Sequence, residues 1–336
     1  MMTTASFQSD PILDVRSLTK HFPVGTFISP KQVHAVENVS FSVRRGQVVA
    51  LVGESGSGKT TTIRTVARLI PATAGEIFFK GVDVLKSEPH QASLDYRRLV
   101  QLIFQDPFAS LNPVHTIEHH LARPLVIHKK VSGRQEIHDR VCELLETVEL
   151  KPATTIASRY PHQLSGGQRQ RVAIARALAV DPELILADEP ISMLDVSIRM
   201  GVLNLIQLLK TERGISFVYI THDLASARYI GDQIMVMYAG HMVEGGESEA
   251  IMGHPAHPYT QLLLSAVPDP RAGLRTNKNA QARGEVPSLI NPPPGCPFAA
   301  RCTRVMDVCR KVMPAQTNIE PGHWVRCHLF DTESVV

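Results

Sequence analysis

Two glycine-rich segments more than a hundred residues apart constrain this chain more than any other feature. The first, Gly53-Glu54-Ser55-Gly56-Ser57-Gly58-Lys59-Thr60, fits G-x-x-x-x-G-K-[ST], a loop whose backbone N–H groups cradle a polyphosphate. The apolar run Gln47 to Val52 delivers it, and a helical stretch from Thr60 to Leu69, stopped by Pro71, follows it. Strand, loop and helix in that order make the pattern a site rather than a turn. The second segment, Leu164-Ser165-Gly166-Gly167-Gln168, puts a hydroxyl and two glycines at the start of a helix, where backbone donors point at an anion. One cradle implies a nucleoside triphosphatase. Two on one chain imply that each takes one side of a shared nucleotide, and therefore a dimer.

Further residues fit the same chemistry. Lys59 is placed to reach the β- and γ-phosphates, and the Thr60 hydroxyl to bind Mg²⁺. Asp188 ends the apolar run Leu184-Ile185-Leu186-Ala187, and a carboxylate at the carboxyl end of a central strand faces the ligand crevice of such sheets. It is expected to hold Mg²⁺ through water, with the adjacent Glu189 polarising an attacking water as general base. His222, just past the apolar run Phe217 to Ile220, is placed to contact the γ-phosphate and hold that water. The chain has 15 histidines, so it is the position of His222 in this ordered set that singles it out.

At 336 residues the chain has room for one large α/β domain and a smaller appendage. No apolar run approaches the length that spans a bilayer, and the longest candidates, Leu184 to Ala187 and Ile234 to Met237, are short buried strands. The N-terminus from Met1 to Asp10 shows no basic region followed by an apolar stretch, which points to the cytosol. A formal charge of +3 without any Lys/Arg block argues against a phosphate-tracking nucleic-acid binder.

Along the chain, residues 13 to 25 read as a strand with a turn at Phe22-Pro23, 36 to 43 as a second strand, and 76 to 84 as a hairpin around Lys80-Gly81. From about 90 to 160 the periodicity is helical, with a loop from Asp106 to Pro113. Helices at 165–179 and 197–211 then alternate with strands at 184–187, 216–220 and 234–237, which implies a mostly parallel sheet. After about residue 254 prolines become frequent and periodicity fades, which places a domain boundary near 250.

Four of the five cysteines fall in this tail. Cys296, Cys302, Cys309 and Cys327 give C-x5-C-x6-C-x17-C, not the paired C-x2-C of zinc ribbons. In a chain read as cytosolic, such clustering implies metal ligation before disulfides, and four thiolates suit either an iron–sulfur cluster or zinc. His323 and His328 are fallback ligands, and Cys142 belongs to a helical core pattern.

Gly53 to Thr60, Gln105, Leu164 to Gln168, Asp188-Glu189, Leu194-Asp195 and His222 stand in the order and spacing of ABC-transporter ATPase subunits, which the chain resembles from about residue 12 to 250. LSGGQ followed by a strand ending in Asp-Glu-Pro is that family's hallmark. The resemblance implies an α/β P-loop NTPase (ABC ATPase) core over 1–253, with a mixed sheet and a helical subdomain at about 90–175. A small Cys-rich C-terminal extension follows over 254–336. It further implies a head-to-tail dimer in which ATP lies between Gly53–Thr61 of one subunit and Ser165, Gly166, Gly167 and Gln168 of the other. Gln105 would touch Mg²⁺ beside Thr60 and Asp188, Asp195 would act across the dimer, and Phe22 would stack on adenine. Met193 replaces the alanine of the usual Ser-Ala-Leu-Asp.

Phe104-Gln105-Asp106-Pro107-Phe108-Ala109-Ser110-Leu111-Asn112-Pro113 and the tail segments His257-Pro258-Tyr259-Thr260 and Gly295-Cys296-Pro297-Phe298 are similar to those of dipeptide/oligopeptide importers. That resemblance implies peptide uptake driven from the cytoplasmic face of the membrane. The partners would be a second, homologous ATPase subunit, two permease subunits docked near residues 105 to 125, and an extracytoplasmic substrate-binding protein. It also implies a [4Fe–4S] cluster on the four tail cysteines. Relatives of this type also import nickel, glutathione or oligosaccharides. A non-transport ABC ATPase is the rival class, but it would carry two cores or a long coiled-coil insertion, and this chain has neither.

Overall fold

The computed structural model describes residues 10–26, 29–266 and 287–331. Most of the N-terminal stretch read for a targeting signal, and Pro268 and Pro270, lie outside these. The first elements are an antiparallel ribbon, β1 (Leu13–Thr26) against β2 (Ser29–Val43), with Leu13 opposite Val43 and Thr26 opposite Ser29. The expected turn at Phe22-Pro23 is absent, because β1 runs through both residues. On its other side β1 stops pairing at Thr19, so Pro23 lies on a free edge where its missing N–H breaks no ladder.

β3 (Val48–Val52) is buried at every residue and has a parallel neighbour on each side, which is why its sequence is an unbroken apolar run. It feeds the glycine loop, which opens into α1 (Lys59–Val66). β4 (Ala74–Phe79) and β5 (Val82–Asp83) complete a small sheet ordered β2-β1-β4-β5. Lys80 and Gly81 join them with φ of 52° and 79°, the positive pair that a tight hairpin turn requires.

Short helices α2 (Val84–Ser87) and α3 (Leu94–Leu99) lead into β6 (Val100–Ile103), a strand where helical periodicity was expected. Four residues are too few to show a period, and β6 owes its conformation to parallel pairing at the sheet edge. Next come α4 (Pro107–Ser110), α5 (Ile117–Ile127), α6 (Arg134–Thr147), α7 (Ala153–Ala157) and α8 (Gly166–Leu178). α5 and α6 each pack on α8, with Leu121, Leu125, Leu145 and Val172 excluded from solvent between them.

β7 (Leu184–Asp188), α9 (Val196–Arg213), β8 (Ser216–Thr221) and β9 (Gln233–Tyr238) follow as the alternation predicted, and α10 (Leu224–Ile230), which it did not, lies between β8 and β9. β10 (His241–Glu247) turns back antiparallel on β9, and α11 (Ser248–Gly253) and α12 (Pro258–Ser265) follow it. The tail adds β11 (Thr317–Glu320) and β12 (His323–Val325), giving a sheet ordered β11-β12-β10-β9-β3-β8-β7-β6.

Glu244 fastens this end of the sheet. Its fully buried carboxylate accepts the N–H of Ala256 at 2.7 Å and of His257 at 2.9 Å, and it pairs with His323 Nε2 at 2.8 Å. One side chain thus joins β10 to the approach of α12 and to β12. The carboxyl ends of β3, β7 and β8 converge, as ligand crevices of such sheets do.

Candidate active site

That convergence forms a cleft of about 640 Å³. Its walls include the loop from Glu54 to Thr61, Gln105, Glu189 and His222, and also Ala35 and Leu289, which sequence reasoning did not single out. Two glycines make the loop possible. A Cβ on Gly58, whose φ is +104°, would sit 2.3 Å from the Ala35 carbonyl oxygen, and one on Gly53 would sit 2.2 Å from that of Met237. The backbone therefore passes closer to its neighbours than any side chain permits.

Lys59 Nζ curls back to donate to the carbonyls of Gly53 at 2.8 Å and Glu54 at 2.9 Å. Burial lowers its pKa, against the opposing pull of the Glu189, Asp188 and Glu54 charges. Asp188 lies behind the loop, where its Oδ1 accepts the Thr60 hydroxyl at 2.8 Å. Burial raises its pKa and the Glu189 charge adds to the rise, while the Thr60 hydrogen bond opposes it. Both groups have the signature of buried charges lacking a strong counter-charge. A polyphosphate would supply it for Lys59 and a divalent cation for Asp188. The Thr60 hydroxyl, the Asp188 carboxylate and the Gln105 amide offer the hard oxygen donors that Mg²⁺ takes.

Glu189 is held from three directions. Its Oε2 accepts Gln105 Nε2 at 3.1 Å and lies 3.2 Å from His222 Nδ1, and its N–H donates to the Ile220 carbonyl at 3.1 Å. Its φ of 44° is left-handed for a residue with a side chain, a strain that the surrounding bonds maintain.

Ser165, Gly166, Gly167 and Gln168 do not line this cleft. Ser165 Oγ accepts the Gln168 N–H at 3.3 Å and Gln168 Oε1 accepts the Ser165 N–H at 3.0 Å, a reciprocal cap at the start of α8. Asp195 is exposed at the start of α9. Phe22 also lies outside the cleft lining, with the Lys20 ammonium 4.7 Å from its ring centre. Tyr259 and Arg301 reach the loop from far along the chain: Tyr259 Oη accepts the Glu54 N–H at 2.8 Å, and Arg301 pairs with the Glu54 carboxylate. No local pattern announces either contact.

The four tail cysteines line one small, largely enclosed cavity together with His257 and His328. Burial pushes the Cys296 thiol up to about 12 and the Cys327 thiol up to about 11, and raises that of Cys302. Among the described residues, only His21, His34 and Glu37 bring three potential ligand atoms within 4.8 Å of one another, so the cysteines are not gathered around a point as for one small ion. His257 Nδ1 accepts the Tyr259 N–H at 3.0 Å, and burial lowers the ring's pKa to about 4. The ring is therefore neutral at pH 7 with its hydrogen on Nε2, a buried atom that has no hydrogen-bond partner.

The sequence matches the ABC transporter family over residues 36–192, and the oligopeptide/dipeptide transporter C-terminal region over residues 243–309. It is 44% identical to the putative oligopeptide transport ATP-binding protein YkfD of Bacillus subtilis, over 95% of this chain and 96% of that one. It is 42% identical to the dipeptide transport ATP-binding protein DppF of Haemophilus influenzae, over 98% of this chain and all of that one. This chain belongs to the ABC transporter family. Among solved structures, the ATP-binding cassette MJ0796, in a dimeric post-hydrolysis state bound to ADP and Pi, aligns with a TM-score of 0.61 at 29% identity. That alignment covers 70% of this chain and 98% of the cassette. CbiO1 of Clostridium perfringens, part of the ABC transporter complex cbiONQ, aligns at 0.63 and 26% identity, over 73% and 92%. The fold is that of an ABC ATPase, and the chain is an ATPase of this family.

The loop geometry gives a physical reason why the motif fixes Gly58 and leaves the position of Gly56 open. Gly56 has a φ of +78° but open space around its Cβ position, so Gly56→Ala is expected to cost about 1 kcal/mol of stability through backbone strain alone. Gly58→Ala must also move backbone at Ala35 and is expected to cost about 3 kcal/mol and most nucleotide binding. Thermal unfolding and titration with a fluorescent ATP analogue measure both.

Proposed function

We propose that this chain is one of two ATPase subunits that drive uptake of dipeptides or oligopeptides through a pair of permease subunits. The observation that carries the hydrolytic part is the division of the phosphate-binding apparatus: the cleft has its own loop, acid and base, while Ser165–Gln168 faces elsewhere on the same chain. A second, homologous subunit would bring its Ser165–Gln168 equivalent and its Asp195 equivalent over this cleft. The names of the relatives, oligopeptide and dipeptide transport ATP-binding proteins, support the cargo and with it an extracytoplasmic binding protein as the source of peptide.

In this reading the incoming phosphates take Lys59 Nζ from the Gly53 and Glu54 carbonyls, and the loop from Gly53 to Thr61 supplies backbone donors. Phe22 stacks on the base. Thr60, Asp188 and Gln105 would hold Mg²⁺, which when bound would supply neutralisation of phosphate charge. Glu189 holds the attacking water and takes its proton, oriented by Gln105 and His222 on its Oε2. Closure is passed to the permeases, at the cytoplasmic face of the membrane, through residues 105 to 125, where Val114 is 69% exposed.

The four-cysteine cavity is proposed to hold a [4Fe–4S] cluster. The thiols surround a cavity instead of converging on a point, which favours a multi-atom cluster over one zinc ion. The unpartnered His257 Nε2–H fits an anionic acceptor in the cavity. When bound, the cluster would tie together a tail with little apolar core.

Two measurements follow. Glu189→Gln is expected to lower ATP turnover about a hundredfold or more while keeping nucleotide affinity, and turnover within a few fold of wild type would overturn the assignment of the base. Protein purified without oxygen is expected to contain about four irons and four sulfides per chain, lost in Cys302→Ser. One zinc per chain and no iron would overturn the cluster and leave the ATPase reading intact.

A further inference from the structure

We infer that Arg301, in the C-terminal extension, is a positioning residue for the ATP site that sets the charge and shape of the phosphate loop through Glu54. Glu54 is the second residue of the loop and lines the cleft. It is held at three points. Its N–H donates to Tyr259 Oη at 2.8 Å, and its carbonyl accepts Lys59 Nζ at 2.9 Å. Its carboxylate meets the Arg301 guanidinium as a two-pronged pair, Nη1 to Oε2 at 2.7 Å and Nη2 to Oε1 at 3.0 Å. Tyr259 and Arg301 both come from beyond residue 253, so the extension grips the loop by its backbone and by its side chain.

The pair is sheltered. The Arg301 side chain is 6% exposed and that of Glu54 30%. The guanidinium also donates to Tyr238 Oη at 3.3 Å and lies 5.9 Å from the Phe298 ring centre. The bond to Glu54 outweighs burial and keeps Arg301 charged. A planar fork of this kind meets both carboxylate oxygens at once, which a lysine cannot do.

Charge makes this a matter for the nucleotide as well as for the fold. Without Arg301, an uncompensated carboxylate would line the cleft that receives a polyphosphate, and it would compete for Lys59. With Arg301 in place the loop presents Lys59 and backbone donors against a neutralised Glu54. The residue occupies a tight turn that also carries Cys296 and Cys302. Within it the Ala299 N–H donates to Cys296 O and the Arg301 N–H to Phe298 O, both at 3.0 Å. The turn that carries Arg301 also gives Cys296, Phe298, Ala299 and Cys302 to the wall of the cysteine cavity.

The test is a double-mutant cycle on the full chain, read as the dissociation constant of a fluorescent ATP analogue with thermal unfolding in parallel. Arg301→Met is expected to weaken binding tenfold or more, because it leaves the Glu54 charge unpaired at the cleft. Arg301→Lys, which retains the charge but lacks the fork, should fall between. Glu54→Gln in the Arg301→Met background is expected to recover at least half of the loss on a logarithmic scale, since the repelling charge is gone. A merely structural role would lower the unfolding temperature without that recovery. Wild-type affinity in both Arg301 variants, or a loss that Glu54→Gln leaves untouched, would overturn the assignment. If Arg301→Met fails to fold, Arg301→Lys with and without Glu54→Gln gives the same comparison.

Discussion

The nucleotide end of this molecule depends on one constraint, the close approach of the glycine loop to two carbonyls that do not belong to it. Gly53 passes against Met237 and Gly58 against Ala35, nearer than a Cβ allows. Those carbonyls come from β9 and β2, so the loop is moulded between the large sheet and the antiparallel ribbon. β3 can deliver the loop there because it is buried between β8 and β9 and has no freedom to shift register. From that position α1 starts at Lys59, Thr60 meets Asp188 at the end of β7, one strand beyond β8, and the remaining polar groups fall within reach of one another.

Much of this was legible because the chemistry is written in contiguous residues. The loop, Asp188-Glu189 and His222 each follow a buried strand, and buried parallel strands read as apolar runs. What stayed hidden depends on pairing between distant segments. β6 has four residues, β12 has three, and each is a strand only because a neighbour offers a ladder. Pro23 suggested a turn since the sequence gives no sign of which edge of β1 is free. The spacing of the cysteines identified no standard ribbon, and it takes the fold to bring all four to one cavity with a neutral His257 whose Nε2 has no partner. Arg301 is the sharpest case: 247 residues separate it from Glu54, and nothing near either one predicts the pair.

The site as it stands is electrostatically unfinished. Lys59 satisfies itself with loop carbonyls, and Asp188 with a hydroxyl, both away from water and without full counter-charges. Such groups favour ligands that bring the missing charges, and exchange of weak internal partners for phosphate and cation is how binding energy reaches the loop. The extension adds a second layer, because Glu54, the loop residue nearest to becoming a repelling charge, is neutralised from beyond residue 253.

Gly166→Asp tests most directly whether the cleft is completed by Ser165–Gln168 of another subunit and not by its own. The nearest atom to a Cβ at Gly166 is Leu194 Cδ2 at 3.7 Å, an ordinary contact, and an acid is favourable in the first turn of a helix, so the variant should fold. Its charge would repel a phosphate offered by a partner. The isolated variant is expected to bind an ATP analogue as tightly as wild type, while ATP-driven association and turnover are lost. Reduced nucleotide affinity in the isolated chain, or undiminished turnover in the assembled pair, would contradict it.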